Sequence, residues 1–207
     1  MRKNIILKTM LVASLTTMMQ ANENFYDSGI YIGVSSGFLN FGGDSLVLKT
    51  VKNEKLTNKV TYSDIDNTPT EFKVGYQHFA GNRVEIYAKN NEIDTDGGDI
   101  DVRTGGINYE FGFSSLSSGS KLLPYLSLGV GSGEASSDKL KKVDDTDVIE
   151  LHMGFGMHYQ VSENIYAMFA YAHDTIIFDD IKDSVNGNYE ISDTATNTIK
   201  VGVSYHF

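Results

Sequence analysis

Charged residues recur on the polar parity of segments that otherwise alternate apolar and polar: Glu71, Lys73, Arg83, Glu85, Lys89, Glu110, Glu150 and Lys200. If the parity that carries them points into a closed interior, four carboxylates meet four cations there. Charges in a low-dielectric interior are tolerated only when paired and hydrogen-bonded, so this set reads as a lumenal ion-pair network. The chemistry it would do is structural. A ring of the same charges in an open lumen would instead make a narrow, ion-selective pore, which is the alternative.

Five histidines, His78, His152, His158, His173 and His206, are the next residues able to do chemistry. His152 and His158 share one parity of one strand, but six residues at ~3.3 Å each hold them about 20 Å apart, too far to chelate one metal. The acidic run Asp94-Thr95-Asp96-Gly97-Gly98-Asp99-Ile100-Asp101 has the oxygen ligands that Ca²⁺ takes. Its spacing fails the EF-hand pattern, because Asp99 stands where that loop needs Gly and Gly105 where it needs Glu. Asp144, Asp145 and Asp147, and Asp174, Asp179 and Asp180, read likewise as solvated loop acids. Gly129-Val130-Gly131-Ser132-Gly133 is glycine-rich but lacks the Lys-Ser/Thr that completes a phosphate loop. A hydrolase would need Ser or another nucleophile held by His and a carboxylate, and Ser and Asp are too abundant here for a match to carry information. No catalytic residue, metal site or cofactor is assigned.

The elements that position these residues are strands, because the pattern repeats every two residues. Ile30, Ile32, Val34 and Phe38 oppose Tyr31, Gly33, Ser35 and Gly37. Phe72, Val74 and Tyr76 oppose Glu71, Lys73, Gly75 and Gln77, and after the turn Ala80-Gly81-Asn82 the residues Val84, Ile86 and Ala88 oppose Arg83, Glu85, Tyr87 and Lys89. Ile107, Tyr109 and Phe111 oppose Asn108 and Glu110, with Gly105-Gly106 read as a bulge where the phase slips from Ile100 and Val102. Leu122 to Gly131, Ile149 to Tyr159 and Thr198 to Phe207 alternate in the same way, whereas Ile165 to His173 is apolar on both parities and its faces stay unassigned. Eight strands result.

Short turns near Gly81, at Ser117 to Ser120 and at Ser162-Glu163-Asn164 interleave with longer polar stretches at about 40–69, 90–99, 133–147 and 174–195. That rhythm fits an all-β, eight-stranded, antiparallel, up-and-down transmembrane β-barrel with acidic loops displayed outside. The first loop is long enough to add a hairpin to the wall, so ten strands stay open. A soluble, lipocalin-like carrier would turn the apolar parity inward. Lipid outside is favoured by the Gly, Ser and mixed charges of the polar parity, and by aromatics gathered near strand ends: Tyr76, Phe79, Tyr109, Phe111, Phe113, Tyr159, Tyr205 and Phe207.

The chain opens on Arg2, Lys3 and Lys8 around an apolar stretch from Ile5 to Leu15, the pattern of an export signal cleaved after Met19-Gln20-Ala21. Residues 1–21 are therefore read as a signal peptide and 22–207 as the barrel domain. Removing the signal takes away three of the 17 basic and none of the 27 acidic residues, leaving −13. Such a balance excludes nucleic acid as a partner, since phosphate neutralisation needs clustered cations. The absence of cysteine from the sequence rules out disulfides and thiolate metal sites.

The segment Lys200-Val201-Gly202-Val203-Ser204-Tyr205-His206-Phe207, with Gly29-Ile30-Tyr31-Ile32-Gly33-Val34 and Pro124 to Gly131, resembles the small OmpA/OmpX-like, opacity-type outer-membrane barrels. That resemblance spans the mature chain, and it implies the outer membrane of a Gram-negative bacterium. It further implies that Lys200, Gly202, Tyr205 and Phe207 form the signal read by the barrel-assembly machinery. Outer-membrane lipids and an extracellular loop partner of unknown identity are the other partners it implies. Structural anchors, adhesins, resistance proteins and a few lipid-modifying enzymes share this group. A structural or surface-interaction role, in adhesion or envelope maintenance, is the expectation, with a narrow porin as the alternative and a lipid A-modifying enzyme less favoured.

Overall fold

The structure is a computed structural model that describes residues 28–43, 46–52, 55–62, 66–78, 81–94, 99–113, 121–137, 146–179, 181–183 and 187–207. The export signal, Phe79, the turn at Ser117 to Ser120, and Asp144, Asp145 and Asp180 lie outside them. Its strands are β1 (Gly29–Gly43), β2 (Leu46–Lys52), β3 (Lys55–Tyr62), β4 (Asp66–Gln77), β5 (Arg83–Asp94) and β6 (Ile100–Gly112). They continue with β7 (Leu122–Ser136), β8 (Thr146–Gln160), β9 (Ile165–Phe178), β10 (Ile181–Asp183), β11 (Gly187–Ile191) and β12 (Thr194–His206).

Eight of these close a barrel in the order β1-β12-β9-β8-β7-β6-β5-β4, every neighbour antiparallel. Closure gives every wall strand two partners and removes the free edges that lipid cannot satisfy. Among the described residues no helix is long and apolar enough to cross a membrane. The hairpin that the first loop was long enough to add does form, as β2 and β3. It does not enter the wall, however, and instead joins β10 and β11 in a separate four-stranded sheet, order β10-β11-β2-β3. The wall keeps eight strands because β1 pairs directly with β4 across that insertion.

Alternation settles the faces by burial. Large apolar side chains stand exposed around the whole outer surface, with Ile86 at 67%, Ile107 at 58% and Phe155 at 57%. Arg83, Glu85, Glu110, Glu150 and Asp174 are buried inside. An apolar outside with charges inside is the inverse of a soluble carrier and fits a wall against lipid. On β8 the exposed band runs from Ile149 to Tyr159, eleven residues whose ten steps span ~25 Å of height at a ~40° tilt.

Three sequence readings are corrected or completed here. No phase slip occurs at Gly105-Gly106, because pairing to β5 and β7 is continuous through them and Ile100 and Val102 stay on the inner face. The irregularity sits instead in β1, where the register to β12 shifts between Gly37 and Leu39 and consecutive Phe38 and Leu39 are both exposed. On β9 the inner set is Tyr166, Met168, Ala170, Ala172, Asp174, Ile176 and Phe178. The connections at the loop end are shorter than the polar stretches in sequence, since strands run past the apolar band into them: β9 reaches Phe178 and β5 reaches Asp94.

At the opposite end the β4–β5 and β8–β9 turns are tight. His78 N–H donates to Asn82 O at 2.8 Å, and Gly81 takes the left-handed φ of 77° that Gly adopts without strain. Both ends of the wall meet on this side. Phe207 N–H donates to the carbonyl of Ile30 at 3.0 Å, and Asn164 holds the backbone of His206 through its side-chain amide at 2.7 Å and its carbonyl at 2.8 Å.

Candidate functional site

Facing strands place the inner side chains in three tiers along the lumen. At the short-turn end, the Arg83 guanidinium lies 4.9 Å from the Tyr31 ring centroid and 5.6 Å from that of Tyr166. Its Nε donates to Gln77 at 2.8 Å. His206 stacks on Tyr31 at 4.8 Å, and His158 on Tyr125 at 4.4 Å. The cation is held by two aromatic faces, the Gln77 amide oxygen and the His158 ring, and this tier closes the short-turn mouth. Gly75 makes room for it: a Cβ there would come 2.6 Å from the Tyr31 ring.

The middle tier is ionic. Lys73 Nζ lies 3.1 Å from Glu85, 3.6 Å from Glu110 and 3.8 Å from Glu71. Glu85 also accepts from the Tyr31 hydroxyl and, at 2.9 Å, from Asn108. Glu110 meets His158 at 2.8 Å and Arg83 at 3.9 Å. Lys200 reaches Glu71 at 3.2 Å and Asp174 at 3.9 Å, joining this group to a second. In the second, the Lys89 ammonium bridges Glu150 at 2.9 Å and Asp174 at 2.7 Å, while Thr104 donates to Glu150 at 2.5 Å.

Glu71, Lys73, Arg83, Glu85, Lys89, Glu110, Glu150 and Lys200 thus meet inside the wall. Sequence reasoning missed Asp174, read as a loop acid, with His152 as its companion, and His158 as the partner of Glu110 and Arg83. One signal was available: Asp174 has the same parity as Tyr166 to Ala172, so any assignment of that strand's faces would have carried it inward.

The third tier, at the loop end, is mainly apolar over β5 to β9, with Asn91 and Thr146 buried in it. Ile93, Ile100, Val102, Ala135, Val148, Ile176 and Phe178 are buried on the inner face, with Thr194 and Thr196 of β12 beside them.

Two constellations within the ionic tier have the look of chemistry. Ser127 Oγ lies 3.0 Å from His152 Nε2, and His152 Nδ1 lies 2.6 Å from Asp174. This is the hydrogen-bond order of a nucleophile, base and orienting carboxylate. The adjoining cavity, however, measures about 20 Å³, room for a single water. Ser127 also sits mid-strand between Glu110 and Gly154, where the backbone amides serve the ladder and leave no oxyanion donors. As placed, the trio is a buried hydrogen-bond relay. Glu150, His152 and Asp174 also bring three ligand atoms within 4.8 Å of one another. Lys89 Nζ bonds both carboxylates of that group, so its ammonium already stands as their cation.

Comparison with known proteins agrees with this architecture. The family model described as outer membrane protein beta-barrel domain matches residues 9–207. No curated protein matches the chain. Among solved structures, neisserial surface protein A (NspA) is similar at 15% identity over 88% of this chain and 100% of its own, with a TM-score of 0.56. OprG from Pseudomonas aeruginosa aligns at 14% identity over 90% and 100%, with a TM-score of 0.49. Ail, the attachment invasion locus protein of Yersinia pestis, aligns at 16% over 87% and 97%, with a TM-score of 0.46. At such identities the likeness concerns the fold.

Proposed function

For this chain, which belongs to the outer membrane protein β-barrel family and is a small eight-stranded barrel of the Gram-negative outer membrane, we propose a closed structural scaffold whose work is surface interaction through its loops. The observation that carries this reading is the filled lumen. An aromatic-cation tier, an ion-pair tier and an apolar tier follow one another along the axis, and an eight-stranded barrel is only wide enough for its own side chains. Adhesion or envelope maintenance at the loop end is the role such a scaffold supports, and the shallow water-sized cavity beside Ser127 speaks against catalysis. Residues 1–21 would serve as the cleaved export signal. Lys200, Gly202, Tyr205 and Phe207 would be read by the assembly machinery, and the apolar band would contact lipid.

A narrow pore is the second reading, favoured by one observation. Ser35 Oγ, both amide atoms of Asn91, Asn108 Oδ1 and the hydroxyls of Thr146, Thr194 and Thr198 are buried without a partner, and such groups call for water. Planar-bilayer conductance of the refolded protein separates the readings. The closed scaffold gives no steps in the wild type, whereas regular steps that change in Lys200→Ala or Glu150→Ala would make it a porin.

A further inference from the structure

Three polar side chains interrupt the outer wall where β9 meets β12. Tyr171 and His173 belong to the outward set of β9, and Asn197, directly opposite His173, belongs to that of β12. The Tyr171 hydroxyl donates to Asn197 Oδ1 at 2.6 Å, and His173 Nδ1 meets the same oxygen at 2.8 Å. All three residues are half-buried. On its other side the Tyr171 ring lies against Phe155 of β8, with centroids 5.2 Å apart.

The cluster sits within the apolar band. On β8, exposed Met153 stands opposite His173, and exposed Leu151 and Ile149 continue the band toward the loops. Ile149 lies four residues beyond Met153, ~10 Å of height at a ~40° tilt. Toward the turns the cluster is bordered by exposed Phe169 and Val201. A tyrosine near the membrane surface is ordinary. A histidine and an asparagine among lipid-facing residues are costly, because polar groups there lose water, and an ionisable side chain in the span marks a functional site.

Hydrogen-bond roles define what the cluster can take. Asn197 Oδ1 only accepts, so its bond with His173 places the ring proton on Nδ1 and leaves Nε2 an acceptor. Among the described residues no donor reaches Nε2. A phosphate or an ester carbonyl brings acceptors alone and leaves that nitrogen unsatisfied, whereas a hydroxyl or an amide N–H satisfies it. Lipids whose chains are 3-hydroxylated and amide-linked to a sugar headgroup carry both donors at the acyl boundary. Glycerophospholipid chains carry only esters there.

We propose that Tyr171, His173 and Asn197 form a lateral site for an outer-leaflet lipid of this hydroxyacyl-amide class, with His173 Nε2 accepting from the lipid's hydroxyl or amide. The site rests on the reading that the apolar band contacts lipid. Asn197 fixes the tautomer, and Met153, Leu151 and Val201 flank the chain.

Native mass spectrometry of the refolded full protein in detergent tests this, at about pH 8, where an ordinary imidazole is neutral. Lipid A and dioleoyl phosphatidic acid are the probes: both carry phosphate, and only lipid A brings hydroxyl and amide donors at the acyl boundary. His173→Phe and Asn197→Leu keep apolar bulk on the wall, and heat-modifiable mobility shows whether they fold. Each is expected to weaken lipid A binding about fivefold or more, the factor that one hydrogen bond supplies, and to leave phosphatidic acid binding unchanged. Should His173→Phe fail to fold, Asn197→Leu alone reads the same loss. Unchanged lipid A affinity in a folded variant, an equal loss for both lipids, or a two-chain species that the variants abolish, which would put a second copy on the cluster, would each overturn the proposal. Failure of the lipid-facing reading would look different, with neither probe binding the wild type. A protein that binds both lipids and whose variants do not tell them apart keeps the scaffold reading and loses only this site.

Discussion

Lys89 is the residue on which the second ionic group depends, because its ammonium is what Glu150 and Asp174 share. Removing one partner of a buried pair leaves its carboxylates uncompensated, so Lys89→Met is expected to destabilise the barrel by about 3–5 kcal/mol in a urea titration of the heat-modifiable form. Adding Asp174→Leu to that variant should recover part of the loss, and a strictly additive cycle would contradict the pairing. Ser127→Ala removes one hydroxyl bond from the relay and should cost about 1 kcal/mol or less. The wild-type serine should stay unlabelled by a fluorophosphonate probe; labelling at Ser127 would argue for an accessible nucleophile. At this scale, parity made Glu71, Lys73 and their companions legible in sequence, as each sits on a strand whose other face is plainly apolar. Asp174 was not legible: its neighbours Tyr166 to Ala172 are apolar on both faces, because Met168, Ala170 and Ala172 fill the lumen while Phe169 faces lipid.

Elements carry the closure. β1 and β12 must meet as the last step of making a barrel, and Tyr31 stands directly opposite His206 at that seam, their rings stacked. Gly75 leaves the space that Tyr31 needs, so Gly75→Leu is expected to displace the ring and lower stability by about 1–3 kcal/mol, measured by the same titration. Deleting Phe207 removes the N–H that bonds Ile30 and the final aromatic of the terminal pattern. Outer-membrane levels should fall while export is unaffected; normal levels would remove the assembly-signal argument. Strand identity was readable from the two-residue period, but the strand ends were not. Beyond the lipid band the outer face turns polar, as at Asn90 and Glu92, and a strand with polar residues outside and Asn91 inside looks like loop. Ile100 and Val102 misled for the complementary reason: apolar residues on an inner face read as a slipped phase when the interior is assumed polar throughout.

For the whole molecule, the eight-stranded barrel followed from alternation, turn spacing and the terminal pattern, whereas the partnership of the first and last loops in a second sheet did not. Nothing local announces it, since β2 and β11 lie more than a hundred residues apart and their pairing is made by closure of the barrel that brings their flanking strands together. The central claim is that the lumen is shut along its length, and the chain's lack of cysteine gives a silent background for testing it one position at a time. The measurement is the rate at which a membrane-impermeant thiol reagent modifies Ser127→Cys, in mid-lumen, against Glu134→Cys, at the exposed loop end of β7. A lumen shut along its length gives rapid modification at 134 and none at 127 while the barrel is folded. Comparable rates at the two positions would show an open path through the barrel and contradict it.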